Sequence, residues 1–269
     1  MTQTLSWPTH MEERYNKVLL NSGLKILIIF KVLKKSSTTE PICAHLQLKE
    51  NGQQNLKQNK SSKKFVYLIS PNKIKDDFFY SDLTSVLSTK KVSLFQLRLK
   101  KETTRSKLII GKKIKKICKK YRVKFLINDD PKLAKKLNAD GCHLGQNDMN
   151  ILNARKILKN KIIGVTCHNS INLAKKALND GANYLAFGAF YSSRTKIVKY
   201  KASFKILNLI KKTTNIPIVA IGGINSFNYK NLILNKANFL AISGYIWDNK
   251  KLKPIEAIKR LKWKLMQGK

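Results

Sequence analysis

From Phe65 onward the chain repeats one pattern eight times: a short β-rich apolar run, a turn, then a helical stretch. The runs are FVYLIS (65–70), VSLFQLRL (92–99), KFLIN (124–128), GCHLG (141–145), IIGVTC (162–167), YLAFGAF (184–190), IPIVAIGG (216–223) and NFLAISG (238–244). Helices are expected near Asp77–Thr89, across Arg105–Tyr121 and from Pro131, which suits a first turn because no amide donor is needed there. Further helices are expected at Asn150–Lys159, Ile171–Asp180, Ser203–Lys212, Ser226–Asn235 and Pro254–Leu265. Strands alternating with helices pair in parallel through right-handed crossovers. Eight such units in 205 residues predict a closed (β/α)8 TIM barrel. An open doubly wound sheet would carry its glycine-rich fingerprint after the first strand. Here SPNKIKDD follows it and the glycines come late.

Residues 1–63 break the pattern and read as an N-terminal extension and linker, poorly ordered or loosely docked, ahead of a catalytic barrel at 64–269. Val18–Leu33 is apolar and suits an amphipathic helix lying on the main domain or on a membrane surface. Gln47–Lys64, with NGQQNLKQNKSSKK, has a linker's composition. No small-residue cleavage site marks a secretory signal, and an overlong start to the reading frame would equally account for the segment. No function is assigned to it. The longest apolar stretch, Leu24–Leu33, is interrupted by Lys25 and Lys31, so no membrane span is expected. Cys43, Cys118, Cys142 and Cys167 form no CxxC, which argues against a disulfide scaffold or zinc ribbon and for a reduced, cytoplasmic protein.

The formal charge is +39, carried by 47 Lys against 7 Arg spread along the whole chain. Nucleic-acid surfaces cluster their charge and use Arg for bidentate contacts. The pattern here fits solvated lysines from an AT-rich coding bias, and no specific nucleic-acid partner is expected. Such a surface still attracts polyanions such as diphosphates at long range, in a salt-sensitive way.

Barrel sites lie at the carboxyl ends of the strands, often with phosphate after strands 7 and 8. Those runs end in Gly222-Gly223 and Ser243-Gly244, where backbone amides can approach an anion. In the second run Gln96, Arg98 and Lys100 share one face by strand alternation, leaving Leu97 and Leu99 to the helices. Three polar groups are therefore expected to project into the barrel, two of them cations that need an anion beside them. Asn128-Asp129-Asp130 ends the third run and Gly145-Gln146-Asn147-Asp148 follows the fourth. Two carboxylates from neighbouring strand ends suit a magnesium ion, which takes few carboxylates plus water and phosphate oxygens. Asp130, just before Pro131, fits a helix cap better than Asp129 does. The loop Tyr191–Lys196 offers hydroxyls and two cations. Cys142-His143 and Cys167-His168 look like a zinc set, but adjacent strand residues face opposite sides.

The strings QLRLK (96–100), INDDPKLAKKLNADGCHLGQND (127–148), GVTCHN (164–169), FGAFYSSRTK (187–196), IPIVAIGGI (216–224) and AISG (241–244) resemble the thiamine-phosphate synthases and the related thiazole tautomerases. The resemblance covers residues 65–269 and implies a transferase. It would join 4-amino-5-hydroxymethyl-2-methylpyrimidine diphosphate to 4-methyl-5-(2-phosphooxyethyl)thiazole, giving thiamine monophosphate and diphosphate by a magnesium-assisted dissociative substitution. It implies that Asp129 and Asp148 hold Mg2+ on the diphosphate, and that Arg98, Lys100 and Lys196 neutralise the leaving group. Gln96, Asn128 and Thr166 would position the pyrimidine diphosphate. Ser193, Arg194 and Thr195, with Gly223, Ile242 and Ser243, would hold the thiazole phosphate. No nucleophilic Ser or Cys is required.

Four departures from the family pattern bear on rate and affinity. Thr166 stands where the family usually has Ser, and Ala189 and Ser192 each replace a Pro, so the loop after strand 6 is expected to be looser. Asn147 replaces a commonly acidic neighbour of Asp148, leaving the metal site less negative. A tautomerase would carry His where Ala189 stands and tends to lose the metal-binding acids. A paralogue that binds thiazole phosphate without turnover, a basic nucleic-acid-binding protein, and the oligomeric state, including a homo-oligomer, are left open by the sequence.

Overall fold

The computed structural model describes residues 65–74, 76–192 and 200–262. The chain divides between Leu56 and Lys57, and every described residue belongs to the second part. The expectations for 1–63, for the loop residues Ser193, Arg194, Thr195 and Lys196, and for the end of the last helix lie outside the described residues.

Eight strands form one closed parallel barrel in chain order. They are β1 (Val66–Ile69), β2 (Val92–Leu97), β3 (Lys124–Asn128), β4 (Gly141–Leu144), β5 (Ile162–His168), β6 (Tyr184–Phe187), β7 (Ile218–Ile221) and β8 (Phe239–Ile242). Closure is made by β8 on β1, with Val66, Tyr67 and Leu68 opposite Leu240, Ala241 and Ile242. The helices are α1 (Phe78–Ser88), α2 (Thr104–Lys120), α3 (Pro131–Lys136), α4 (Ile151–Leu158), α5 (Ile171–Asn179), α6 (Phe204–Lys211), α7 (Tyr229–Leu234), α8 (Gly244–Trp247) and α9 (Pro254–Lys259). This is the (β/α)8 architecture that the eightfold pattern predicts. Among the described residues no helix is long and apolar enough to cross a membrane.

Strand alternation divides the apolar residues into two clusters. Val66, Leu68, Phe95, Leu97, Phe125, Ile127, Leu185 and Ile218 pack outward with the buried faces of the helices. Tyr67, Ile69, Leu94, Leu126, Tyr184, Ala186, Val219 and Ala241 fill the inside of the barrel. Local signals start the helices. Thr103 caps α2 by accepting from Ser106 N at 3.1 Å, and Asp130 caps α3 by accepting from Leu133 N at 2.8 Å. Asn150 and Ser170 do the same for α4 and α5.

Several runs stop earlier than the sequence suggests. The β2–β3 ladder ends at Leu97 opposite Ile127, and Arg98 N turns to the Ser70 hydroxyl at 2.9 Å. At the end of β6 the chain leaves the sheet, and Ala189 pairs with the Tyr200 segment through its N–H to Tyr200 O at 2.9 Å. β7 ends at Ile221 because Gly222 and Gly223 take φ of 104° and 61°, outside the extended region. The short helix α8 after β8 is an element the sequence pattern did not suggest.

The amino-terminal end of the barrel is tied by a motif that recurs before three of the strands. Asp140, Asn183 and Asn238 stand just before β4, β6 and β8. Their side chains accept from Phe125 N, Ile163 N and Ile218 N at 2.9, 2.8 and 2.9 Å. Their own amides donate to the carbonyls of the same three residues. Each is preceded by an alanine that is buried (Ala139, Ala182, Ala237), and each alanine by a residue at positive φ (Asn138, Gly181, Lys236). Replacing Asn238 with Ala leaves the Ile218 amide without its side-chain acceptor. It is expected to cost about 1–2 kcal/mol in urea unfolding, with the m-value unchanged.

Candidate active site

A cavity of about 1120 Å³ opens at the carboxyl ends of the strands. Every described residue that the sequence singled out for the site borders it: Gln96, Arg98, Lys100, Asn128, Asp129, Asp148, Thr166, Gly223, Ile242 and Ser243. Ile242 packs its side chain in the outer cluster, so what it presents to the cavity is backbone.

The second run needs a correction. Gln96 is the one member of the trio inside the barrel, 2% exposed. Arg98 and Lys100 lie beyond the end of β2 and stand on the rim rather than projecting into the interior, so they escape the cost of burying two cations. Arg98 Nη1 donates to Asn72 Oδ1 at 2.8 Å, and Lys100 Nζ meets Asp129 Oδ2 at 2.9 Å. The anion expected beside the cations is thus present for Lys100, supplied by Asp129 just past the end of β3.

Asp129 is held by its place in the sheet. Its amide donates to His143 O at 2.8 Å, and φ of 62° turns its side chain out of the strand pattern. Asp148 is fixed from the next turn by Gly145 N, 2.6 Å from its Oδ2. The two carboxyl groups face each other closely enough to influence one another's ionisation. Burial works against ionisation of Asp129, but the hydrogen bond with Asp148 and the Lys100 ammonium hold its carboxyl below the ordinary value. Burial and the facing Asp129 raise that of Asp148, against the pull of the Gly145 amide. Two carboxylates on an open cavity, with space for waters and phosphate oxygens, fit magnesium. Among the described residues no cluster of three or more His, Cys, Asp or Glu offers a closed metal cage.

Below the rim the barrel interior carries a chain of hydrogen bonds that the sequence reading missed. Gln96 Nε2 donates to the Tyr67 hydroxyl at 2.5 Å, which lies 2.8 Å from the Tyr184 hydroxyl. That hydroxyl is 2.8 Å from His143 Nδ1, and His143 Nε2 is 2.9 Å from Thr166 Oγ1. Burial pushes both phenols above their ordinary range, so they remain protonated at neutral pH. The signal was available: Tyr67, His143 and Tyr184 occupy the inward parity of FVYLIS, GCHLG and YLAFGAF. Cys142 faces outward beside His143, as alternation requires, so this pair does not share a ligand. After Thr166, which alternation already turns inward, the register shifts before His168, and both residues border the cavity. The described cysteines are buried free thiols. Burial lifts that of Cys167 to about 12 and the others higher, so none is a thiolate nucleophile.

On the far side Gly222 and Gly223 are required by geometry. A Cβ on Gly222 would lie 2.3 Å from Ala189 Cβ, and one on Gly223 would lie 2.2 Å from Ser192 O. Phe190 N and Tyr191 N donate to Ile221 O and Gly222 O, which anchors the start of the loop after β6 against this turn. Ser243 Oγ donates to Ser70 O at 3.1 Å across the β8–β1 closure. The buried Tyr245 hydroxyl, on α8, has no protein partner among the described residues, and Tyr245 borders the same cavity.

Comparison with known proteins agrees with this picture. The family description "Thiamine monophosphate synthase" matches residues 66–246. The chain is 76% identical over 207 residues to the thiamine-phosphate synthase of Pelagibacter ubique (strain HTCC1062), spanning 77% of this chain and 100% of that protein. It is 44% identical over 153 residues to the thiamine-phosphate synthase of Nitrosomonas eutropha (strain DSM 101675 / C91 / Nm57), 56% of this chain and 72% of that one. Among solved structures, thiamine phosphate pyrophosphorylase from Pyrococcus furiosus superposes with a TM-score of 0.65 at 27% identity, covering 76% of this chain and 96% of that chain. A 3-hexulose-6-phosphate synthase, TM-score 0.52 at 15% identity over 73% of this chain and 98% of its own, shares the fold alone. Barrel, rim chemistry and relatives converge: the chain belongs to the thiamine monophosphate synthase family of transferases.

Proposed function

We propose that the cavity couples the pyrimidine diphosphate to the thiazole phosphate and releases diphosphate. The observation that carries this reading is one rim that sets paired acids, Asp129 and Asp148, beside the cations Lys100 and Arg98. A diphosphate needs both: cations for its oxygens, and carboxylates for the metal ion that travels with it. Magnesium bound at the two acids would neutralise the diphosphate and help it depart.

The remaining work falls to the protein's own groups. Lys100 is half exposed, so its ion pair with Asp129 is worth only about 0–1 kcal/mol and yields readily to a phosphate oxygen. Arg98, on Asn72, stands ready for the same anion. As the methylene C–O bond breaks, its electron pair leaves with the diphosphate, and the aminopyrimidine ring delocalises the cation left behind. The thiazole nitrogen lone pair then forms the new C–N bond. Gln96, Asn128 and Thr166 orient the pyrimidine, and Gly223, Ser243 and the Ile242 backbone hold the thiazole phosphate together with Ser193, Arg194 and Thr195, while Lys196 joins Arg98 and Lys100 in neutralising the leaving group. Orientation and charge neutralisation, with no protein nucleophile, suffice for this chemistry. Ala189 follows Gly188 where a tautomerase would place an imidazole, and both acids are present, which favours coupling over tautomerisation.

Purified protein given both substrates and magnesium is expected to form thiamine monophosphate, and chelation of the metal to stop it. Asp129→Ala and Lys100→Ala should each lower kcat/KM by about 10²–10³ with an unchanged circular dichroism spectrum. Wild-type turnover in both variants would reject the site. Because the Pelagibacter relative spans only 207 residues, we also propose that residues 1–63 are a dispensable extension. A chain lacking residues 1–60 should keep full-length activity, and an inactive or unfolded truncation would place the extension in the core.

A further inference from the structure

We infer that Tyr184, itself held by Tyr67, is a positioning residue that fixes His143 as its Nε2–H tautomer and so makes the Thr166 hydroxyl a hydrogen-bond donor toward the substrate. The inference follows from counting protons along the chain. Gln96 turns its Nε2 to Tyr67, and an amide nitrogen only donates, so the Tyr67 oxygen accepts there. Among the described residues the two phenols have three contacts: Gln96 to Tyr67, Tyr67 to Tyr184, and Tyr184 to His143 Nδ1. The first uses an amide proton. The other two are exactly as many as the phenol protons that must be placed in a site where both rings are buried, 1% and 3% exposed.

If Tyr67 donates to Tyr184 and Tyr184 donates to Nδ1, every proton has an acceptor. If Nδ1 carried the proton of the neutral ring, one phenol proton would be left buried without an acceptor, which is costly. The ring proton therefore sits on Nε2 and points at Thr166 Oγ1, 2.9 Å away. A hydroxyl whose oxygen already accepts in this direction keeps its own proton for another partner, and Thr166 borders the cavity. Strand alternation turns Thr166 inward opposite Ala186, and the Gln146 side-chain bond to Thr166 O holds the backbone in place for that role. Resting on the function proposed above, the acceptor is an atom of the pyrimidine diphosphate. The phenols touch no substrate and act through the imidazole.

Reversing the Gln96 amide would reverse the whole chain, so the tautomer is a direct readout. In full-length protein labelled with nitrogen-15, long-range proton–nitrogen spectra without substrate should show His143 with a protonated Nε2 and a bare Nδ1. His143→Gln assigns the signals by removing them. Tyr184→Phe should let the second tautomer appear and lower kcat by about tenfold. Thr166→Val should lose about a hundredfold in kcat, and Thr166→Ser, which restores the hydroxyl, should recover most of that loss. A wild-type ring protonated on Nδ1, or a tautomer unmoved by Tyr184→Phe, would overturn the inference. The expected tautomer in a protein that makes no thiamine monophosphate would support the positioning chain and reject the proposed reaction instead.

Discussion

The site depends on closure of the sheet. β8 pairs with β1, so the carboxyl ends of all eight strands face one another around a ring instead of spreading along an edge. Only then do groups far apart in sequence, such as Gln96 of β2 and Thr166 of β5, border the same cavity. Closure also separates two kinds of interior. The outer layer between strands and helices is apolar and supplies the hydrophobic stabilisation, while the inner space is free to carry hydrogen-bonded polar groups.

That division explains how the rim tolerates its charges. Arg98 and Lys100 sit past the last ladder bonds of β2 and Asp129 just past the end of β3, where solvent still reaches them, and the attraction between Lys100 and Asp129 is weak. A rim locked by strong internal pairs would hold its cations away from a ligand. The high lysine content adds a long-range attraction for anions that falls with salt, without supplying a specific contact.

Much of the fold and part of the site were legible in the sequence. Eight β-rich runs separated by helical stretches fixed the barrel, Asp130-Pro131 marked the start of α3, and the parity of Cys142 and His143 dismissed a zinc pair. Strand ends were not legible, because the ladder stops where a backbone amide finds another acceptor, as Arg98 N does at Ser70. Arg98 and Lys100 were therefore expected inside, although only Gln96 is. The pairing of Lys100 with Asp129 depends on neighbouring β3, and no spacing within one strand reveals it. The Ala-Asp and Ala-Asn pairs before β4, β6 and β8 carried a repeat that went unread, as did the inward tyrosines.

Five polar side chains joined end to end within the barrel also constrain the history of the sequence. A change at any link, from Gln96 to Thr166, strands the neighbour that depended on it, so drift there is penalised unless a second change restores the pattern. The interior of this barrel is therefore expected to evolve in coordinated steps, while the lysine-rich exterior varies one position at a time.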